Sequence, residues 1–199
     1  MAPTTFLPLV LFVVVATITP GGATTLATAS GAHFGYRRSI PLMAGISFGL
    51  ASMAASAAAG LGGVILELPS LQLGMKTAGS LYLVWLAWKI GRSGPPRLHA
   101  SLAKPTSFLG GVWLLWQNPK GWAMTLGAAA SFAALADGPF QLGVLLGCAF
   151  GVAAILSLSL WCTTGLLLAR LLKSDAQWRT FNSALGLLLV VSIASLWLD

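Results

Sequence analysis

Six apolar stretches, each long enough to cross a lipid bilayer as a helix, account for most of this chain of 199 residues. About 20 helical residues span the hydrocarbon core of a membrane. Only 8% of the residues are charged, whereas soluble domains have about 25%. We therefore predict an all-α polytopic membrane protein with six transmembrane helices. The stretches lie near Thr4–Gly31, Ile40–Leu66, Leu71–Ile90, Phe108–Ala134, Phe140–Leu168 and Phe181–Leu198.

Basic residues concentrate in alternate connections between these stretches, which predicts the orientation of the protein. The positive-inside rule places connections rich in lysine and arginine in the cytoplasm. The first, SGAHFGYRRS, carries two arginines, and the third and fifth are also basic, whereas the second and fourth hold only Glu67 and Asp137. Both termini are then predicted to lie outside, in a periplasm if the cell has one. The net charge of +7 belongs to these connections and does not indicate nucleic-acid binding.

The N-terminal sequence MAPTTFLPLVLFVVVA has a second interpretation, as the apolar region of a cleaved signal peptide. It lacks a basic segment before the apolar run, and the apolar sequence continues past any cleavage site. We expect it to be retained as the first span.

Two prolines at related positions predict an internal repeat. Pro20 lies in the middle of the first span and Pro119 in the fourth, 99 residues further on. Three spans per half would place the halves in opposite orientations, and interrupted helices at matching places indicate a transport site. We predict one membrane domain, residues 1–199. It would comprise a first repeat (about 1–92), a cytoplasmic loop (about 92–107) and an inverted second repeat (about 108–199).

Each proline should interrupt its helix, because proline lacks the amide hydrogen and its ring clashes with the carbonyl four residues back. Freed carbonyls are tolerated in a membrane only inside protein or beside a water-filled cavity. Beyond each break a new half-helix would present the amides of residues 21–24 and 120–123, which favour an anion. The alternative is an ordinary proline kink without a binding role.

Lys120 follows the second proline, roughly 18 Å into the fourth span at 1.5 Å per residue. A charge at that depth is costly and should face a cavity or a partner. The acidic residues all fall at span ends or in connections, so no carboxylate is predicted to pair with it. We therefore predict that the break and Lys120 bind the carboxylate of a substrate.

Other residues near the predicted site have two interpretations each. Lys76 is either a second charged residue of the site or an interfacial lysine, because it lies near the outer interface, where its side chain can reach water. Tyr82 either lines the site or packs, and the same choice holds for Trp113, Trp116 and Trp122. Small residues in the second and fifth spans, among them Gly45, Gly49, Gly147 and Gly151, permit close helix packing within one chain or in a dimer.

Four segments together resemble the LysE/RhtB family of amino-acid and metabolite exporters. TPGGATTLATASGAHFGYRRSIPLMAGISFG is similar to the family's TPGPN segment, and QNPKG to its NPK signature. GMKTAGSLYLVWLAWKIGR and FNSALGLLLVVSIASLW resemble its third and last spans. One departure is clear, since this chain has Gly22 and Ala23 where the family has Pro and Asn.

The resemblance implies a six-helix inner-membrane exporter, a possible homodimer, that moves amino acids or related small molecules outward in exchange for protons. No cofactor is implied. Carried over by position, the residues implied for substrate binding or coupling are Thr19, Pro20, Gly21, Tyr82, Asn118, Pro119 and Lys120.

Two functions from other classes remain as alternatives. An intramembrane enzyme could use Lys120 as a base, but the nearest serine, Ser131, is 11 residues away on the same span. Cys148 and Cys162 would lie roughly 21 Å apart on one helix, too far for a disulfide. The other alternative, a membrane interaction protein that transports nothing, gives no reason to bury Lys120.

Overall fold

The computed structural model describes residues 6–60, 69–92 and 106–197. Within these ranges the chain forms eight α-helices and one 3-10 turn, Ala133–Leu135, which confirms the all-α prediction. The helices are α1 Leu7–Ile18, α2 Gly22–Phe34, α3 Tyr36–Ala58, α4 Pro69–Gly91, α5 Phe108–Trp116, α6 Pro119–Ser131, α7 Pro139–Leu171 and α8 Asp175–Trp197. Most of the predicted cytoplasmic loop at 92–107, and Glu67, lie outside the described residues.

Several helices are apolar enough to lie in a membrane. By length and hydropathy, α3 and α7 can each cross one alone, and α1 with α2, bent by 57° at the break between them, can form a third crossing. Large apolar side chains also remain exposed on the outer faces of these helices, for example Leu11, Val15, Leu156 and Leu167. The protein is therefore a multi-pass membrane protein.

The predicted first connection, SGAHFGYRRS, is helical except at Gly35. This glycine has a positive φ of 78°, which glycine adopts without strain, and it joins α2 directly to α3. Polar residues can be helical here because they find partners in the protein: the Ser30 and Ser39 hydroxyls are 2.7 Å apart. His33 Nε2 likewise lies 2.9 Å from Asn182 Oδ1. The connection between the first two predicted spans is therefore helical on both sides of Gly35 and is not an irregular loop.

The centre of the fold is the pair α3 and α7, which pack against each other through small residues. A Cβ added to Gly147 would lie 3.2 Å from the Ala51 carbonyl oxygen, and one added to Gly151 would lie 3.2 Å from the Ala51 Cβ. Gly49 is in similarly close contact with Val112 of α5. These glycines thus permit close packing of helices within one chain, which is one of the two roles predicted for them.

Helix α2 lies against α7 at backbone contact. A side chain on Gly31 would collide with the carbonyl of Cys162, and one on Gly165 with the carbonyl of Thr28. Both cysteines lie on α7 and are unpaired, Cys148 exposed and Cys162 buried. The remaining pair, α4 and α8, packs together beside this centre.

Candidate functional site

Two helix breaks lie beside the central pair of helices, α3 and α7. The first break, Thr19–Gly21, separates α1 from α2 and contains Pro20. The second break, residues 117–118, separates α5 from α6, which begins at Pro119. Helix α1 packs against α7, and α5 packs against α3, so each break lies beside one helix of the central pair.

The hydrogen bonds around the first break account for the backbone groups that it frees. In a continuous helix the Gly21 amide would donate to the Thr17 carbonyl. Here the Gly21 amide donates to Thr24 Oγ1 at 2.8 Å. The Thr17 carbonyl instead accepts from Ser157 Oγ of α7, also at 2.8 Å. Both groups are therefore satisfied although the helix is interrupted.

A second side chain of α7 acts in the same way. The Ile18 carbonyl, which would accept from Gly22 in a continuous helix, accepts from Trp161 Nε1 at 3.2 Å. Sequence analysis missed both Ser157 and Trp161. Nothing in LSLSLWC distinguishes them from other residues of an apolar helix, because their role depends on contacts about 140 residues away in sequence.

The second break repeats this arrangement 99 residues later with different side chains. The Lys120 amide, equivalent to that of Gly21, donates to Asn118 Oδ1 at 3.0 Å. The Trp116 carbonyl, equivalent to that of Thr17, accepts from Trp122 Nε1 at 2.9 Å. Asparagine before a proline that begins a helix is a recognised N-terminal signal, so this cap was readable from sequence.

These caps correct one prediction. We expected the amides of Gly21 and Lys120 to be free for an anion, but the side chains of Thr24 and Asn118 already accept from them. A bound anion would therefore depend on the Lys120 ammonium more than on these two amides.

A cavity of about 50 Å³ lies between the two breaks. It has room for a few water molecules, since each needs about 10–15 Å³ on this measure. Polar side chains from both breaks line it, and Lys120 is the only charged residue among the described residues that do so. The polar lining residues are Thr17, Thr19, Thr24, Asn118 and Lys120.

The Lys120 ammonium connects the two breaks. A Cβ added to Gly21 would lie 3.4 Å from Lys120 Nζ, so the end of the lysine lies against the backbone of the first break. The Lys120 side chain is half-buried. Across the parts of the chain that the structure describes, no acidic residue lines the cavity beside it.

The structure brings together four of the seven residues that were predicted for the site. Lys120, Asn118, Thr19 and Gly21 line the cavity. Pro20 is exposed and is not among the lining residues. Pro119 begins α6 and Tyr82 lies in α4, but the side chains of both, like that of Lys76, lie outside what the structure describes.

The three tryptophans near the second break pack beside the cavity or face outward. The Trp116 and Trp122 rings meet edge to face at 5.4 Å, and Trp116 Nε1 donates to Ser52 Oγ of α3 at 3.1 Å. Trp113 is 63% exposed. None of them is among the residues that line the cavity, which favours the packing interpretation.

Part of the chain is similar to efflux proteins of enteric bacteria. The cysteine/O-acetylserine efflux protein of Escherichia coli (strain K12) is 33% identical over 121 residues, which are 60% of this chain and 61% of that relative. The protein of the same name from Shigella flexneri serotype 5b (strain 8401) is 34% identical over 110 residues, 55% of each chain. The chain thus matches less than two thirds of these relatives' length. No solved structure matches it.

A match over nearly the whole chain comes from the comparison with protein families. The sequence model described as LysE type translocator matches residues 14–197, nearly the entire chain. This match confirms the resemblance noted in the four sequence segments. Because the members of this family are translocators, the match excludes the intramembrane-enzyme alternative. The chain belongs to the LysE type translocator family.

Proposed function

We propose that the protein is a secondary transporter that exports amino acids or related small carboxylate-bearing metabolites across the bacterial inner membrane by antiport with protons. The observation that carries the proposal is the position of the Lys120 ammonium. It lies in a cavity between two interrupted helices, close to Gly21 of the other half of the chain.

The lining of the cavity suits a small anion that has further polar groups. The ammonium of Lys120 supplies a charge-assisted hydrogen bond to a carboxylate. The hydroxyls of Thr17 and Thr19 and the amide of Asn118 line the same cavity and can bind the rest of the molecule. Lysine can also gain and lose a proton in a desolvated site, which gives proton coupling a chemical basis.

The departure from the family pattern falls at this cavity. Ala23, which stands where the family has asparagine, is one of the lining residues, as is Gly22. The site therefore has a methyl group where relatives of this pattern would have an amide. We propose that its cargo is less polar than that of family members with the asparagine.

Cysteine and O-acetylserine are the first cargo candidates, because the relatives named above are efflux proteins for these compounds. Both have a carboxylate that Lys120 could bind. The cavity of about 50 Å³ is smaller than the roughly 300–1,000 Å³ of ordinary ligand sites. Transport would require it to widen toward one side of the membrane and then toward the other.

The pattern of helix packing supports six spans arranged as two inverted repeats. If each broken pair counts as one span, exchanging the halves converts α1 into α5, α2 into α6, α3 into α7 and α4 into α8. The contacts of α1 and α2 with α7 then correspond to those of α5 and α6 with α3. The α3–α7 contact and the α4–α8 contact each join equivalent helices of the two halves, so both are unchanged by the exchange.

The proposed orientation follows from the charges: both termini outside and the basic connections in the cytoplasm. The partners are the lipid bilayer, the small-molecule cargo and, as the resemblance implies, a second copy of the chain in a homodimer. Chemical labelling of single cysteines placed near residues 35 and 137 would test this orientation from the two sides.

Efflux from proteoliposomes loaded with radiolabelled O-acetylserine tests the function, with and without an imposed pH gradient. Lys120→Met should reduce efflux by more than tenfold, since a hydrogen bond to a charged group contributes about 1.5–3 kcal/mol. The matched control is Lys89→Met, because Lys89 is exposed and lies over the Trp85 ring with Nζ 4.9 Å from its centroid.

Three results would count against the proposal. Efflux that persists in Lys120→Met would show that the lysine is not needed for transport. An efflux rate that is the same with and without the pH gradient would show that transport is not coupled to protons. No efflux of any amino acid from liposomes with correctly inserted protein favours the interaction-protein alternative.

A further inference from the structure

The two helix breaks are held in different ways. At the second break, the freed Trp116 carbonyl is satisfied by Trp122 of the adjoining half-helix. At the first break, the freed carbonyls of Thr17 and Ile18 are satisfied from another helix, by Ser157 and Trp161 of α7. The conformation of the first break therefore depends on the position of α7.

These side-chain bonds favour the interrupted conformation over a straighter one. The Thr17 carbonyl can accept from the Gly21 amide in a continuous helix or from Ser157 in the broken one. Ser157 is buried, and an unpaired carbonyl beside it would be costly. A group that binds only one of two conformations shifts the equilibrium toward that conformation.

The interrupted conformation is also the one that brings the halves of the site together. Thr17 and Gly21, on either side of the bend, both line the cavity, and Gly21 lies against the Lys120 ammonium. A change in the bend would move Gly21 away from Lys120.

We propose that Ser157 and Trp161 are positioning residues, which hold the end of α1 in the bent conformation that keeps Gly21 beside Lys120. They act on the cargo through the backbone of the first break, and neither needs to touch it. The inference rests on the proposed transport function for its kinetic consequence, but its structural part can be tested without transport.

The kinetic test measures O-acetylserine efflux at several internal concentrations. Ser157→Ala and Trp161→Phe should raise KM about tenfold, because the binding-competent conformation becomes a smaller fraction of the population. Ser157→Thr keeps the hydroxyl and should restore a near-normal KM. Ser159→Ala is the matched control: it removes a hydroxyl of the same helix that accepts from Tyr36, away from the break, and should leave KM unchanged.

The structural test uses Ala23→Cys, a half-buried lining residue, in a background with Cys148→Ser and Cys162→Ala. A charged methanethiosulfonate should label this cysteine several-fold faster when Ser157→Ala or Trp161→Phe is added, since the cavity loosens. Ser159→Ala should not change the rate.

The outcomes separate the two proposals. If Ser157→Ala and Trp161→Phe match Ser159→Ala in both KM and labelling rate, the positioning role is wrong. If no variant transports, including the unmodified chain, but labelling still accelerates in Ser157→Ala, the positioning role stands and the proposed transport function fails.

Discussion

The ammonium of Lys120 lies against the backbone of Gly21, 99 residues earlier in the chain, at 3.4 Å from where a Cβ on that glycine would be. This contact joins the second broken helix to the first. It also means that the charge and the bend it faces belong to opposite halves of the protein. Variants at either position should therefore affect the same cavity.

A methyl group at Gly21 should impair transport without unfolding the protein. The backbone of Gly21 is extended, with φ of −174°, a conformation open to any residue. Gly21→Ala would place an apolar group in contact with Lys120 Nζ, and we expect a several-fold fall in O-acetylserine efflux. Gly21→Val should abolish efflux.

Gly127→Ala is the control, since a Cβ there meets nothing within 4 Å. Full activity in Gly21→Val would show that the cargo does not pass between Gly21 and Lys120.

Variants of Asn118 should separate its capping role from the charge of the cavity. Asn118→Ala removes the acceptor for the Lys120 amide and should lower stability by about 1 kcal/mol. Asn118→Asp caps as well, so stability should be retained. Its carboxylate would line the cavity with Lys120 and compete with that of the cargo, so efflux should fall at least several-fold.

Thermal unfolding in detergent and efflux from liposomes measure the two effects separately. An Asn118→Asp variant that transports normally would argue against carboxylate binding by Lys120.

Loss of the Trp122 indole N–H should destabilise the second break. Trp122→Phe keeps an aromatic ring in this buried position but leaves the Trp116 carbonyl without its donor. We expect a cost of about 1–3 kcal/mol in unfolding free energy, measured by chemical denaturation in detergent micelles. Trp113→Phe, at a position that is 63% exposed, should change stability far less. Equal effects would mean that the hydrogen bond contributes nothing specific.

The contact between α2 and α7 should not tolerate a side chain at Gly165. A methyl there would collide with the carbonyl of Thr28, which is backbone and cannot rotate away. We expect Gly165→Ala to cost about 1–3 kcal/mol, as overpacking in a well-packed interior does. The melting temperature in detergent measures it, against Gly74→Ala, where a Cβ meets nothing within 4 Å. A melting temperature equal to that of Gly74→Ala would contradict the close packing.

Local chemistry was readable from the sequence wherever the residues involved are neighbours. A proline that lacks an amide hydrogen, an asparagine just before it and a lysine just after it all lie within three positions, 118–120. The side chains that complete the breaks were not readable. Ser157 bonds to Thr17 across 140 residues, and serine is common in membrane helices for packing reasons alone.

The helical conformation of the connection between α2 and α3 was not readable from the sequence, for a related reason. Ser30, His33 and Ser39 are polar and lie close to two arginines, a composition that is typical of a connection between spans. Their partners are supplied by tertiary structure, as with His33 and Asn182 of α8, and a helix can then accommodate them. Polarity alone does not distinguish a solvated loop from a helix with internal partners.

The glycine contacts of α2 have a mechanical consequence for the bent pair of helices α1 and α2. Backbone touches backbone at Gly31 and Gly165, so α2 cannot slide along α7 without steric conflict. Helix α1, in contrast, is tied to α7 at its end by two side-chain hydrogen bonds, which can break and re-form. We therefore expect α2 to keep its place on α7, and a passage that opens at this site to open by movement of α1.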